Sequence, residues 1–489
     1  MELFNLLNKT IPVFGQTYDV SLNWIAQLIR WMINGIGIVG VGIIVFSLCL
    51  KFIVLPFDVY QRISMRKQNQ KMKDQQERME KLQKQYANDK QMYNQKLMEM
   101  YKENGISLFS SCLPMILSMV IFIVAINAFN AYAQYSSIEN YNMMVGAYNA
   151  EIRSYCPDIE KENIAFSTKQ NSDGTTENVI IVSNNSACLS YRLAKPDNVT
   201  EINDELVAYI GDKVKTPTTE YVINVENVRN NAEIMTEVQA LMTEGVSEED
   251  AMYNYFVSEA QTAVKEIYEN EESGVKNKTK FLWIKNIWMT DASYKHPVQA
   301  YSDFESEAKR EKFSVDGEKV SYSDIGKTGT IVYTEEAYNL ITEKLSTQKE
   351  AANGYYILIL LSIGTILLQQ WITMRSQKEQ QKFSTVDGQG ASQQKMMMFM
   401  MTGMFAIFSF MYSAAFSIYM ITSNVFSLLS TLIINKFVDR KLAKEEATAT
   451  VVRMDNRTLS RIEAAKNAGK ASAQDAREKK VKDEESDKE

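Results

Sequence analysis

Few residues in this chain have the types and spacing for covalent chemistry. There is one histidine, His296, so no HExxH pair, no three-histidine zinc site and no Cys₂His₂ finger can be assembled. Gly326-Lys327-Thr328 has the ending of a phosphate loop, but the first glycine of such a loop falls on Ser321. The residue that stands out is a charge. Lys51 lies in Cys49-Leu50-Lys51-Phe52-Ile53, within an apolar run. A lysine at the centre of a membrane helix costs roughly 2.5–3.5 kcal/mol, and such residues usually face water or a partner. None of the apolar runs contains an acidic residue to neutralise it. Lys51 therefore either faces a hydrated groove or reaches back to the interface, which its place near Phe57 allows. Polar side chains are scattered through the other runs: Ser118, Asn127, Asn130, Gln370, Thr402, Ser417, Ser423 and Asn424. Together they are candidates for lining such a groove. Singly, each also suits a helix–helix hydrogen bond.

The elements that would position these residues are membrane spans. The average composition, 45% hydrophobic with a net charge of −7, resembles that of a soluble acidic protein. The apolar residues are nevertheless concentrated in blocks. A crossing helix needs about 20 apolar residues. Spans are expected at 34–57, 108–133, 354–374, 396–413 and 416–437, with a tight turn near 412–415 dividing the last block. Residues 58–107 carry 11 Lys/Arg against two in the first 33, which places 58–107 in the cytoplasm. Parity then puts the N-terminus and 134–353 outside, and 375–395 and the charged 438–489 tail inside. No cleavable signal is legible, and 1–33 reads as an external leader lying along the interface through Trp24, Leu28 and Trp31.

Residues 59–104 lack Pro and Gly and carry Met65, Met72, Met79 and Tyr86 at a seven-residue period. Asn88-Asp89 breaks the run, so 58–107 reads as a cytoplasmic helical hairpin. It serves either as a solvated connector or as a docking surface for partners or lipid. The 220-residue stretch 134–353 reads as an external α+β insertion. It has strand-like runs at Val179–Val182 and Tyr221–Val225 and an acidic helical run over 232–271. Cys156 and Cys188 are its only cysteines, open to a disulfide outside the membrane or to two free thiols.

An ordered set of segments resembles the YidC-type membrane protein insertases. These are Lys51-Phe-Ile-Val-Leu-Pro56, the Gln/Lys hairpin, Tyr101-Lys-Glu-Asn-Gly105 and Cys112-Leu-Pro114. Phe281-Leu-Trp-Ile284, Tyr355-Tyr-Ile-Leu358, Leu367-Leu-Gln-Gln370, Lys395 to Met401 and Tyr419-Met-Ile-Thr-Ser-Asn424 complete it. The resemblance covers roughly half the chain. It implies a polytopic α-helical membrane protein of the bacterial cell membrane, with five core helices around a polar groove. Its basic residue, usually Arg, would be Lys51, with Ser118, Gln370, Thr402 and Met420 at groove-wall positions. Four positions depart from the family pattern: Lys51 for Arg, Ser118 for Gln, Thr402 for Pro and Met420 for Trp. The implied activity is insertion and chaperoning of newly made membrane proteins with short acidic tails, without cofactor or covalent chemistry. The implied partners are such clients, the bilayer and the Sec translocon, with no direct nucleic-acid contact; the basic positions of the 438–489 tail would suit a ribosome contact, while its balanced charge favours a solvated tail. Two rivals are a membrane anchor that displays the external domain and a small-solute transporter. The second would normally show internal repeats or acidic coupling residues, and none is visible.

Overall fold

In the computed structural model the described residues are 6–103, 109–171, 173–327, 332–376, 389–438, 440 and 460. The chain begins with β1 (Leu6–Ile11), β2 (Asp19–Val20), α1 (Trp24–Ile36), α2 (Val39–Asp74), α3 (Gln76–Gln85), α4 (Lys90–Glu103) and α5 (Phe109–Ser154). Next come β3 (Ile164–Gln170), β4 (Thr176–Val182), β5 (Leu189–Ala194), α6 (Asp204–Lys213), β6 (Glu220–Asn224), α7 (Val225–Asn230), α8 (Ala232–Leu241), α9 (Glu248–Glu269) and α10 (Val275–Thr279). Then follow α11 (Tyr301–Ala308), β7 (Lys312–Val315), β8 (Glu318–Ser321), α12 (Tyr322–Lys327), α13 (Glu335–Ile341) and α14 (Ser346–Glu350). The chain ends with α15 (Ile357–Ser376), α16 (Gln389–Met411) and α17 (Ala414–Val438).

The protein is mostly helical, and among the described residues four stretches are long and apolar enough to cross a membrane. They are Val39–Ser64, Met119–Ser154, Ile357–Arg375 and Ala414–Val438. The span expected at 396–413 falls in α16, where Thr402–Met411 is a shorter apolar helix. The expected turn near 412–415 lies between α16 and α17. The helix over the first expected span, α2, starts at Val39, later than hydropathy implied. Gly37, at φ 78°, caps α1 in the left-handed region, which glycine adopts freely. Residues 34–36 therefore belong to α1.

The chain divides into two compact units. One comprises Met1–Lys51, Met115–Trp371 and Ser392–Asn424. Its spine is Met115–Ser154 of α5, which extends about 60 Å at 1.5 Å per residue. The helix does not stop at 133, where the apolar run thins. It continues because Tyr132, Tyr135, Ile138, Tyr141, Val145, Tyr148 and Ile152 form a buried stripe at three- and four-residue spacing. Phe304 and Tyr338 stack and meet the Tyr141 ring at 4.9 and 5.2 Å, and the Tyr141 hydroxyl donates to Val332 O at 2.6 Å.

Around this spine lies a five-stranded antiparallel sheet of order β1-β6-β5-β4-β3 and a three-stranded sheet of order β2-β7-β8. The strand-like runs became β4 and β6. The run over 232–271 is two helices, α8 and α9, separated at Gly245, which has φ 91°. The N-terminal segment is not a separate leader. Leu6–Ile11 pairs with β6 and Asp19–Val20 pairs with β7, so this segment joins both sheets. Helix α1 buries Ala26, Ile29 and Ile33 while Trp24 and Trp31 are 75% and 73% exposed. Asn23 caps it, accepting from Ala26 N at 2.8 Å.

The second unit comprises Phe52–Pro114, Ile372–Ala391 and Val425–Glu489. Asp89 starts α4 by accepting from Met92 N at 3.0 Å, so the hairpin turns where Asn88-Asp89 interrupts the helical run. Met79, Met100 and Tyr101 form its small core, with Leu82 and Leu97 packed against them. Met79 is the member of the seven-residue seam that this core buries. The side chains of Met65 and Met72 lie outside the described residues.

Candidate functional site

The apolar helices of the first unit are joined by a ladder of polar contacts. Thr402 Oγ1 donates to Gln370 Oε1 at 2.7 Å, and Ser362 and Ser409 hydroxyls meet at 3.0 Å, both linking α15 to α16. Asn424 Nδ2 donates to Thr365 Oγ1 at 3.3 Å, linking α15 to α17. In an apolar surround each polar side chain needs such a partner, since water is not there to supply one. Rings fill the space between rungs: Phe122 meets Phe405 and Phe416 at 4.6 and 5.7 Å, and Phe129 meets Phe46 and Tyr419.

Of the residues singled out from sequence, Gln370 and Thr402 are thus brought into direct contact. Met420 is buried, 5% exposed, on α17. Lys51 is part-buried on α2, four residues beyond Ser47, whose hydroxyl bonds back to Ile43 O. Ser118 lies in α5, but its side chain is outside the described residues. Cys156 and Cys188 are free thiols. The disulfide reading is corrected accordingly. Cys156 Sγ instead donates to Ile152 O at 3.7 Å, and burial pushes its thiol up to about 12. Cys188 is buried at the start of β5.

Residues 280–299 form a clasp that sequence reasoning missed. The carboxylate of Asp291, fully buried, accepts from Tyr355 N at 2.8 Å and Leu358 N at 2.6 Å, capping α15. Gly354 is required here, because a Cβ on it would lie 1.9 Å from Asp291 Oδ1. Asn353 is equally buried. It accepts from Asn286 N at 2.7 Å and donates to Asn286 O and Thr290 O, both at 2.9 Å. The same segment holds the α16–α17 turn, since Met289 O and Ile287 O accept from Ala414 N and Ala415 N at 2.8 Å. Trp288 packs on Tyr132 at 4.5 Å and donates to Lys278 O. Phe281 presses on α2 at Gly40, where a Cβ would come within 2.2 Å of the ring. One loop therefore fastens α2, α5, α15 and the α16–α17 turn at one end of the bundle. The lone His296 contributes a hydrogen bond at 3.0 Å to Ala351 O.

The second unit holds a charge that was not singled out. Arg62, on α2, donates to Thr431 Oγ1 at 2.6 Å and to Asn435 Oδ1 at 3.4 Å, forking onto α17. Phe52 meets Phe426 at 5.1 Å on the same two helices. The sequence signal for Arg62 was weak, because it stands among the basic residues of 58–107. Among the described residues no group of three or more His, Cys, Asp or Glu is placed to hold a metal.

The arrangement is a set of apolar helices with polar contacts inside and a clasp at one end. The model of the family described as 60Kd inner membrane protein matches residues 31–199 and 251–441. The chain belongs to that family. Three relatives bear the name membrane protein insertase YidC. The protein of Caldanaerobacter subterraneus subsp. tengcongensis is 33% identical over 114 residues, 23% of this chain and 53% of its own length. That of Fusobacterium nucleatum subsp. nucleatum is 35% identical over 104 residues, 21% and 49%. That of Francisella philomiragia subsp. philomiragia is 36% identical over 117 residues, 23% and 20%. The chain thus spans about half the length of the first two of these relatives, and a fifth of the third. No solved structure matches it. The family match omits 200–250, which contains α6, β6, α7 and α8.

Proposed function

We propose that this protein is a bacterial membrane insertase and chaperone for newly made membrane proteins. The observation that carries the reading is the family match, which runs through every apolar helix, including the one bearing Lys51. On this reading the five segments 34–57, 108–133, 354–374, 396–413 and 416–437 all cross the membrane. Lys51 supplies the positive charge of a hydrated groove, and Gln370, Thr402, Met420 and Ser118 stand on its wall. A short acidic client tail is drawn to Lys51 while the apolar client segment slides out against the helices. The protein's work is to lower the cost of moving polar groups through lipid, several kcal/mol per unsatisfied group. The Sec translocon and the ribosome are partners on the same reading.

The pairing of β1 with β6 supports the proposed topology. The two strands flank the first two spans, and strands of one sheet share a side of the membrane. An even number of crossings must separate them. With 58–107 cytoplasmic by its basic charge, the N-terminus and 134–353 are external and the C-terminus is cytoplasmic. The size of that folded α+β portion favours a second role as an anchor displaying it to partners outside, and the two roles are compatible.

The deciding experiment places the purified protein in liposomes with a single-span client carrying an acidic N-terminal tail. Insertion is expected to need the protein and to fall with Lys51→Ala. Protein-dependent insertion that ignores Lys51→Ala removes the charge from the mechanism. Insertion no better than in empty liposomes, where a control insertase works, moves the anchor role ahead.

A further inference from the structure

Two residues that line one cavity in the first unit each have a buried amide oxygen without a donor. The cavity lies between α5, residues 286–299 and α11, and is lined by Ser137, Asn140, Trp288, Gln299, Phe304 and Glu307 among others. Asn140 and Gln299 are only 6% and 7% exposed. Asn140 Nδ2 donates to Ser136 Oγ at 3.4 Å, and its Oδ1 has no partner. Gln299 Nε2 donates to Ser137 Oγ at 2.5 Å and to Glu307 Oε2 at 3.1 Å, and its Oε1 has no partner. An ionised carboxylate only accepts. With Glu307 ionised, the Gln299 amide turns its nitrogen to it, and the orphaned atom is an oxygen.

Glu307 is held by neutral groups, the Gln299 amide and the Ser137 hydroxyl. The nearby ammonium of Lys295 pairs with Asp303 at 3.1 Å. A buried acceptor without a donor costs about 1–3 kcal/mol. Here the residues that bear two partnerless amide oxygens and one carboxylate line the same cavity. A water molecule donates at most two hydrogen bonds, whereas an oxygen-seeking cation can be ligated by all three groups. Calcium takes six to eight oxygens, commonly from several carboxylates. A single carboxylate with two amide oxygens matches one positive charge.

We propose that this cavity binds a small monovalent cation through Asn140 Oδ1, Gln299 Oε1 and the Glu307 carboxylate. The cation fastens the clasp segment 286–299 to the spine helix α5. Glu307 is part-exposed at the edge of the site, which gives the ion a path from solvent. The inference stands on the fold around α5 and does not depend on the insertase reading.

The test uses the full-length protein in detergent micelles at fixed ionic strength, with N-methylglucamine chloride replaced stepwise by sodium, potassium or ammonium chloride. A saturable rise in unfolding temperature is expected with at least one of the three ions. Asn140→Leu should abolish that rise. Asn140→Asp, which adds a second carboxylate to the site, should shift the midpoint to lower ion concentration by about tenfold, equivalent to ~1.4 kcal/mol. Sodium-23 relaxation should show the same saturation when sodium is the ion bound. Three titrations indistinguishable from N-methylglucamine would mean ordered water only and would overturn the proposal. So would a midpoint that Asn140→Asp leaves unchanged.

Discussion

Replacing Asp291 tests whether the clasp holds the third long apolar helix. The carboxylate is fully buried, and its two hydrogen bonds, at 2.8 and 2.6 Å, go to Tyr355 N and Leu358 N at the start of α15. Asp291→Ala orphans both donors. A hydrogen bond to a charged group contributes about 1.5–3 kcal/mol, so two set an upper bound near ~6 kcal/mol. Replaced helix caps measure about 0.5–2 kcal/mol, where water reaches the freed amides. Gly354 packs against the carboxylate and leaves little room for water, so the loss should fall between these values, about 2–4 kcal/mol. Asp291→Asn keeps one oxygen to accept one amide and loses the charge at the helix N-terminus, so it should cost roughly half as much. Two measurements check this. Chemical unfolding of the protein in micelles should rank wild type above Asn above Ala. Hydrogen exchange should show Tyr355 and Leu358 amides losing protection in Asp291→Ala while those in β5 keep theirs. If Asp291→Ala unfolds with the parent and its two amides stay protected, the capping argument is wrong. If Asn matches the parent, the charge contributes nothing.

Three further outcomes are expected. Thr402→Val should cost about 0.5–1.5 kcal/mol by leaving Gln370 Oε1 without its donor, and adding Gln370→Leu should recover part of the loss in a double-mutant cycle. Glu311 is raised to about 6 by burial and by the neighbouring Glu307 carboxylate. Its folded form therefore binds a proton more tightly than the unfolded chain, and stability should fall as pH rises from about 4.5 to 6 and level off above. After allowance for solvent screening the change is at most about 1 kcal/mol, and Glu311→Gln should flatten the unfolding-temperature profile across that window. Finally, α1 exposes Trp24 and Trp31 on one side, so a spin label at Trp31→Cys in liposomes should collide with oxygen more than with a water-soluble nickel complex. The reverse ratio would take α1 out of the interface.

The apolar blocks were legible because a bilayer demands long uncharged runs, and even the break between α16 and α17 could be placed. The hairpin turn was legible too, because Asp89 caps α4 by local chemistry. What was not legible depended on partners far along the chain. Nothing in Leu6–Ile11 announces a strand whose neighbour, among the described residues, is β6. Asp291 looks like an ordinary loop acid until Tyr355 and Leu358 come to meet it. The extension of α5 was readable in principle, since Tyr132, Tyr135, Ile138, Tyr141, Val145 and Tyr148 keep helical spacing. The Ser and Asn residues between them lowered the hydropathy and masked that stripe. At the candidate site, Gln370 and Thr402 were named for wall positions, but their direct bond depends on the antiparallel register of α15 and α16. Arg62 was hidden among exposed basic neighbours.

The pairing of β1 with β6 also sets a timetable. The first strand leaves the ribosome some 210 residues before its neighbour. At about 5–20 residues per second that is an interval of roughly 10–40 s. During it, an unpaired strand edge waits for a partner that must reach the same side after two apolar helices have been delivered. A nascent chain stalled before residue 220 would display that edge, and a synthetic β6 peptide supplied from that side would be the natural way to trap it.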